Sequence, residues 1–73
     1  MVTQVTDPRK PLGAAIRKRR LALGLTQEQL AERADLHWTY VSGIERGIRN
    51  VSIVNLFHLA TALDVRVRDL VKF

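Results

Sequence analysis

The sequence predicts an all-α fold of five short helices, and three observations support that fold class. Apolar residues recur three and four positions apart in every segment from Leu12 onward, which is the spacing of one helix face. Nowhere do apolar and polar residues alternate over a stretch, as they do in a half-buried strand. Gly24 and Gly47 follow two of the periodic segments, and glycine commonly stands just beyond a helix. We therefore expect one helical domain without a β-sheet.

The first two helices are predicted over residues 12–23 and 27–34. Residues 1–11 hold both prolines and lack a periodic apolar face, which predicts a flexible N-terminal arm before a domain that spans residues 12–73. Gly24 is placed to end the first helix, and Thr26 is a good N-cap for the second. The side chains expected to face inward are Leu12, Ala15, Ile16, Ala22 and Leu23, followed by Leu30, Ala31 and Ala34.

Three further helices complete the predicted fold. The third covers about residues 38–46, after a turn at residues 35–37, and Val41 and Ile44 face inward. The fourth follows Ser52, a plausible N-cap, and continues through residue 63, whereas the fifth is short. Their expected apolar residues are Ile53, Leu56, Phe57, Ala60 and Leu63, then Val67, Leu70 and Val71.

Length and composition restrict the class of protein. A chain of 73 residues supports one modest core, and the absence of cysteine excludes a disulfide framework or a thiolate metal site. His37 and His58 fall in different predicted elements without a carboxylate at a telling spacing, so we expect no metal, no cofactor and no enzyme activity. No apolar run approaches the ~18 residues of a membrane span, and no signal peptide is evident, which predicts a cytoplasmic protein.

Basic residues are concentrated near the start of the chain. The net charge is +5, and six basic residues with no acid fall between Arg9 and Arg20. Such a cluster suits a polyanion, because neutralised phosphates release counterions. A solvated face is the equally plain interpretation, so charge alone does not decide the function.

Residues 27–46 form two short helices joined by a tight turn, which resembles the helix-turn-helix of the phage-repressor (Cro/CI, XRE-type) family. The segment Arg-Leu-Ala-Leu-Gly-Leu-Thr-Gln at 20–27 and the segment Ile-Glu-Arg-Gly at 44–47 extend the resemblance, which covers about residues 12–70. It implies a phage lambda-repressor-like fold and a transcriptional regulator that binds double-stranded DNA. Asp35 stands where the family usually has glycine, and aspartate tolerates the left-handed backbone of that turn better than most residues.

A narrower resemblance concerns residues 46–52, Arg-Gly-Ile-Arg-Asn-Val-Ser. This segment is similar to the small controller proteins of bacterial restriction–modification systems, which regulate their own operon. An antitoxin that neutralises a partner toxin and binds its own operator is the alternative, because antitoxins frequently share this fold. The sequence leaves room for a protein partner, either RNA polymerase or a toxin, and does not distinguish activation from repression.

Docking places the third helix in the major groove, and the resemblance to the family implies which of its residues meet bases and that Gln27 holds a phosphate. The residues expected at base edges are Trp38, Thr39, Tyr40, Ser42 and Gly43. Those expected on the DNA backbone are Gln27, Arg46, Arg49 and Asn50. The alternatives are that Trp38 packs against a neighbouring helix end, that Thr39 and Ser42 are ordinary surface hydroxyls, and that the loop is a solvated turn.

The resemblance also implies an ion pair, and a dimer is expected because one helix-turn-helix reads only about half a site. Arg20 and Glu45 match an arginine–glutamate pair of the family, which would fix the third helix against the first if it were partly buried. Removing one partner would then cost ~3 kcal/mol, whereas an exposed pair would contribute only ~0–1 kcal/mol. A homodimer would read a pseudo-palindrome with recognition helices ~34 Å apart. The apolar residues expected at its interface are Val54, Leu59, Val65, Val67, Leu70, Val71 and Phe73. Fraying of the C-terminal end is the alternative for the last two of these.

Overall fold

A computed structural model describes residues 6–73 of the chain, and this part is helical. Its elements are α1 (Arg9–Ala22), α2 (Gln27–Ala34), α3 (Trp38–Glu45), α4 (Ile53–Ala62) and α5 (Val67–Leu70). Residues 6–73 contain no strand, which confirms the predicted fold class. Residues 1–5 of the predicted arm lie outside the described residues. None of the helices in residues 6–73 is long and apolar enough to cross a membrane.

The first helix begins at Arg9, three residues earlier than predicted, and therefore takes in the end of the predicted arm. The Asp7 carboxylate accepts from the backbone N–H of Arg9 at 3.1 Å and from the Arg9 guanidinium at 3.0 Å. The first of these bonds gives a partner to an N–H group that has none within the helix. These hydrogen bonds lower the pKa of Asp7. Pro11 lies in the first turn, where the missing N–H leaves no helical hydrogen bond unmade.

Capping hydrogen bonds and left-handed residues mark other helix ends. Thr26 and Gln29 form a reciprocal capping box at α2, and the Ser52 hydroxyl accepts from the N–H of Asn55 at 3.1 Å at α4. Gly24 follows α1 with φ of 71°, and Asp35 ends α2 with φ of 57° and ψ of 46°. Both are left-handed, as the sequence predicts.

The core lies where the helices meet. α3 packs against α1 and α2, α4 packs against α2, and α5 closes the other side against α4 and α1. The Arg20 and Glu45 side chains are buried beside this core. The buried apolar residues are Leu12, Ile16, Leu30, Ala31, Ala34, Val41, Ile44, Leu56, Leu59, Ala60, Leu63 and Leu70.

The prediction of the inward face of α4 is confirmed for Leu56, Ala60 and Leu63 and wrong for Ile53 and Phe57. Ile53 is 65% exposed and Phe57 is 56% exposed, whereas Leu59 is fully buried. The observed stripe is 56, 59, 60 and 63, which is also a regular helical repeat. Two adjoining faces of α4 are apolar, so periodicity alone could not choose between them. Ala22 and Leu23, predicted inside, are also exposed.

The predicted dimer interface requires correction as well. Leu59 and Leu70 are at 0% and 2% exposure and fill the core of their own chain, so they are not available to a second copy. Val65 and Val67 are half-buried against that core. The remaining residues of the set, which are exposed, are Val54, Val71 and Phe73.

Replacing Leu59 by alanine should lower the free energy of unfolding by about 2–5 kcal/mol, because it leaves a cavity in the centre of the core. Leu21→Ala is the matched control: Leu21 is 51% exposed, and its truncation should change stability by only about 0.5 kcal/mol. Urea denaturation followed by circular dichroism measures both. Equal effects of the two substitutions would contradict this assignment of the α4 face.

Candidate nucleic-acid interface

A buried ion pair joins α1 to the end of α3. The Arg20 guanidinium donates to the Glu45 carboxylate from Nε at 2.7 Å and from Nη2 at 2.9 Å. Each residue is only 7% exposed, so the pair is buried rather than on the surface. The hydrogen bonds from Arg20 to Glu45 raise the pKa of Arg20. Two parallel bonds also fix the relative orientation of the helices.

The same pair organises the connection between α1 and α2. Arg20 Nη1 donates to the carbonyl oxygen of Leu25 at 2.8 Å. The amide of Gln27 donates from Nε2 to Glu45 Oε1 at 3.2 Å. Gln27, predicted on the DNA backbone, is therefore half-buried and uses one of its amide hydrogens within the protein.

A close crossing of α1 and α3 at Gly13 was missed in the sequence. A Cβ atom at Gly13 would overlap the carbonyl oxygen of Ile44 and lie 2.7 Å from that of Glu45. Backbone atoms cannot move aside as a flexible side chain can, so the crossing requires glycine. The available signal was a glycine inside an otherwise helical pattern, three residues before Ile16.

Replacing Glu45 by glutamine should destabilise the domain by about 3 kcal/mol, because the Arg20 charge then stays buried without a counter-charge. Glu32→Gln, an exposed position on α2, is the control and should change stability by about 0.5 kcal/mol at most. The double variant R20M/E45L should recover much of the loss, since packed apolar side chains often replace a buried pair without cost. Urea denaturation distinguishes these outcomes, and a stable single variant would show that the pair is dispensable.

The outward face of α3 carries polar and aromatic side chains. Val41 and Ile44 point into the core, whereas Thr39 is exposed, Ser42 is half-buried and Trp38 is 46% exposed. The Trp38 ring stacks on His37, with centroids 6.3 Å apart and planes inclined by 25°. Trp38 thus rests on the cap of its own helix and keeps much of its ring in solvent.

His37 caps the start of α3. Its ring Nδ1 accepts from the backbone N–H of Thr39 at 3.1 Å and lies 2.7 Å from the Thr39 hydroxyl oxygen. The sequence predicts His37 in the turn before α3, with no part in the site. Within residues 6–73, no group of three or more His, Cys, Asp or Glu side chains is arranged to hold a metal ion.

Gly43 does not face outward as predicted, and the structure shows why glycine stands there. Gly43 is buried beneath the stem of Arg49, and a Cβ atom at this position would overlap Arg49 Cγ and lie 3.3 Å from Arg49 Cβ. The Arg49 guanidinium then lies over the Tyr40 ring, 5.3 Å from its centroid. The Tyr40 hydroxyl in turn accepts from Asn55 of α4 at 3.4 Å.

Gly43→Ala should therefore displace Arg49 from Tyr40. The expected observation is loss of the ring-current shifts that Tyr40 imposes on the Arg49 side-chain protons in NMR spectra. At a helix site with free space, the same change would stabilise the protein by about 1 kcal/mol through helix propensity. Increased stability with unchanged Arg49 shifts would contradict the contact. Arg49→Lys provides the reference spectrum, because a lysine ammonium is not planar and does not stack on the Tyr40 ring as a guanidinium does.

The loop after α3 presents cations beside this face. Arg46, Arg49 and Asn50 are exposed, as the predicted backbone contacts require. Gly47 ends α3 with φ of 75°, which only glycine adopts readily. The Lys10 ammonium donates to the carbonyl oxygen of Arg46 at 3.4 Å, so α1 supports the loop.

Much of the N-terminal basic cluster serves the fold. Arg9 pairs with Asp7, Lys10 supports the loop, and Arg20 is buried on Glu45. Arg19 donates from Nε to the carbonyl oxygen of Leu63 at the end of α4, at 2.9 Å. Arg17 and Lys18 are exposed. The cluster is therefore neither a single polyanion surface nor a simply solvated face.

The α2–turn–α3 unit and the helices around it define a class of protein. The sequence profile of the helix-turn-helix family matches residues 16–70, and the chain belongs to this family. This confirms the family predicted from the sequence.

Comparison with individual proteins shows which members the chain resembles. The control protein C.BamHI of Bacillus amyloliquefaciens is 47% identical over 62 residues, which cover 84% of this chain and 76% of that protein. The crystal structure of the restriction-modification controller protein C.AhdI from Aeromonas hydrophila superposes with a TM-score of 0.84 at 50% identity, covering 85% and 94% of the two chains. The Clp gene regulator ClgR from Corynebacterium glutamicum gives a TM-score of 0.82 at 39% identity, covering 85% and 66%.

Proposed function

We propose that this protein is a transcriptional regulator that binds double-stranded DNA sequence-specifically, as a homodimer on a pseudo-palindromic operator. The observation that carries the proposal is the exposed N-terminal face of α3, which is fixed from behind by the Arg20–Glu45 pair. A helix presented in this way fits the major groove, whose width admits an α-helix. Such a role also implies a cytoplasmic protein.

The contacts to the DNA backbone would come from the exposed Arg46, Arg49 and Asn50. The first two are cations, and Arg49 is held in place by Tyr40 and Gly43. A cation that is already ordered loses less conformational entropy when it meets a phosphate. Gln27 would add its second amide hydrogen next to the N-terminal N–H groups of α2.

The contacts to base edges would come from Trp38, Thr39 and Ser42. Tyr40 would contribute less freely, because its ring already meets Arg49 and its hydroxyl meets Asn55. Gly43 has no part in readout, because Arg49 covers it.

The regulated genes would be those of a restriction–modification system. Identities of 47% to a control protein and 50% to a restriction-modification controller support this, against 39% to ClgR. Selection of duplexes from a random pool, followed by footprinting, tests the assignment. The selected site should occur upstream of the gene for this chain. If it did not, the controller role would be contradicted, but the proposal of sequence-specific DNA binding would not.

Arg49→Ala should weaken binding to cognate and random duplexes alike and lower the slope of log affinity against log salt by about 1, because one phosphate contact is lost. Arg68→Ala is the matched control. It removes the same charge from an exposed position on α5, which packs against α4 and α1 rather than α3. Fluorescence anisotropy over a salt series measures both slopes. Equal changes for the two variants would mean that only net charge matters.

The homodimer would form through the exposed apolar face of α4. Ile53, Val54 and Phe57 lie together there at 56% to 65% exposure and line a shallow groove with His58. A contiguous apolar patch of this kind is typical of an interface, and a two-fold axis would repeat it on both protomers. Val71 and Phe73 at the C-terminal end are the exposed remainder of the originally predicted set.

Phe57→Glu should convert the dimer to a monomer and weaken operator binding, because two charges would meet across the two-fold axis in an apolar contact. Its circular dichroism should match the parent, since Phe57 is outside the core. Leu21→Glu, at 51% exposure on α1, is the control and should remain dimeric. Sedimentation at micromolar concentration measures the oligomeric state of both variants. If Phe57→Glu remained a dimer, the interface would not include this face of α4.

A further inference from the structure

The hydrogen bonds at the start of α3 determine where the protons of the His37–Thr39 pair reside. A backbone N–H can only donate, and that of Thr39 points to His37 Nδ1 at 3.1 Å. Nδ1 therefore carries a lone pair, and the proton of the neutral ring is on Nε2. The Thr39 hydroxyl oxygen lies 2.7 Å from the same nitrogen, so the hydroxyl is the donor of that contact.

In this arrangement the Thr39 hydroxyl can only accept a hydrogen bond from a further partner. The single hydroxyl proton is committed to His37, and the two lone pairs of Oγ1 remain on an exposed side chain. The Trp38 ring stacked on His37 holds the imidazole in this position. An unrestrained threonine would rotate its hydroxyl and either donate or accept, which makes it permissive towards bases.

We propose that His37 is a positioning residue that makes Thr39 read an exocyclic amine on the DNA. In the major groove, adenine N6 and cytosine N4 donate, whereas thymine O4 and guanine O6 and N7 accept. Thr39 would thus favour adenine or cytosine at the base it meets. The inference rests on the proposed function, since it needs α3 to lie in the major groove.

The first experiment locates the base and tests its chemistry. Thr39→Ala should abolish discrimination at one base pair of the selected operator, where the parent protein prefers adenine or cytosine. Replacing that adenine by purine, or that cytosine by 2-pyrimidinone, removes only the amine. The parent should lose about five-fold in affinity, the effect of one hydrogen bond, and Thr39→Ala should lose none.

The second experiment distinguishes the role of His37 in positioning Thr39 from its role as the N-cap of α3. His37→Gly removes the acceptor, and glycine remains a tolerated N-cap. It should relax the preference at that base pair, so that thymine or guanine binds as well. His37→Asp supplies carboxylate acceptors for both Thr39 hydrogens and should restore the preference. A purely structural cap would instead change affinity for all duplexes equally.

Three results would overturn the inference: a preference for thymine or guanine at that base pair, no base pair that responds to Thr39→Ala, or an unchanged preference in His37→Gly. Each presupposes that the parent protein binds duplex DNA with sequence specificity. Failure of that binding would refute the proposed function itself, so the two proposals can be tested separately.

Discussion

The geometry of the whole site depends on one buried ion pair. Arg20 and Glu45 join the last turn of α1 to the last residue of α3. The same two side chains also bind Leu25, between α1 and α2, and Gln27, at the start of α2. Helices as short as α2 and α3 are marginal on their own, so their orientation comes from tertiary contacts. A charged pair with several directional bonds fixes that orientation better than apolar packing alone, because hydrogen bonds constrain angle as well as distance.

Two groups of basic residues in this chain have different roles. Arg9, Lys10, Arg19 and Arg20 bind a carboxylate or a carbonyl oxygen within the protein, whereas Arg46 and Arg49 project from the loop beside α3. Net charge therefore overstates the surface available to a polyanion. Arg49 differs from Arg46 in being packed against α3: Gly43 makes room for the Arg49 stem, and the Tyr40 ring lies beneath the Arg49 guanidinium.

The predictions from sequence were strongest where the determinants are local. The limits of α2, the capping by Thr26 and Ser52, and the left-handed Asp35 all depend on residues within one turn of each other. The Arg20–Glu45 pair connects residues 25 apart, and it was expected only because the chain resembles a family that has such a pair. Composition and spacing alone do not reveal it.

The sequence by itself determined the number of helices, most of their ends and the turn between α2 and α3, because propensity, capping and glycine conformation act over a few residues. Only the tertiary structure decided which apolar face of α4 is buried, since Leu59 and Phe57 are equally apolar and α2 and α5 select between them. It also decided that Gly43 makes room for Arg49 and that Gly13 admits α3. The role of Gly13 is set by Ile44 and Glu45, which are far away in the chain, and that of Gly43 by the path of the loop that brings Arg49 back over α3. No local pattern in the sequence encodes either position.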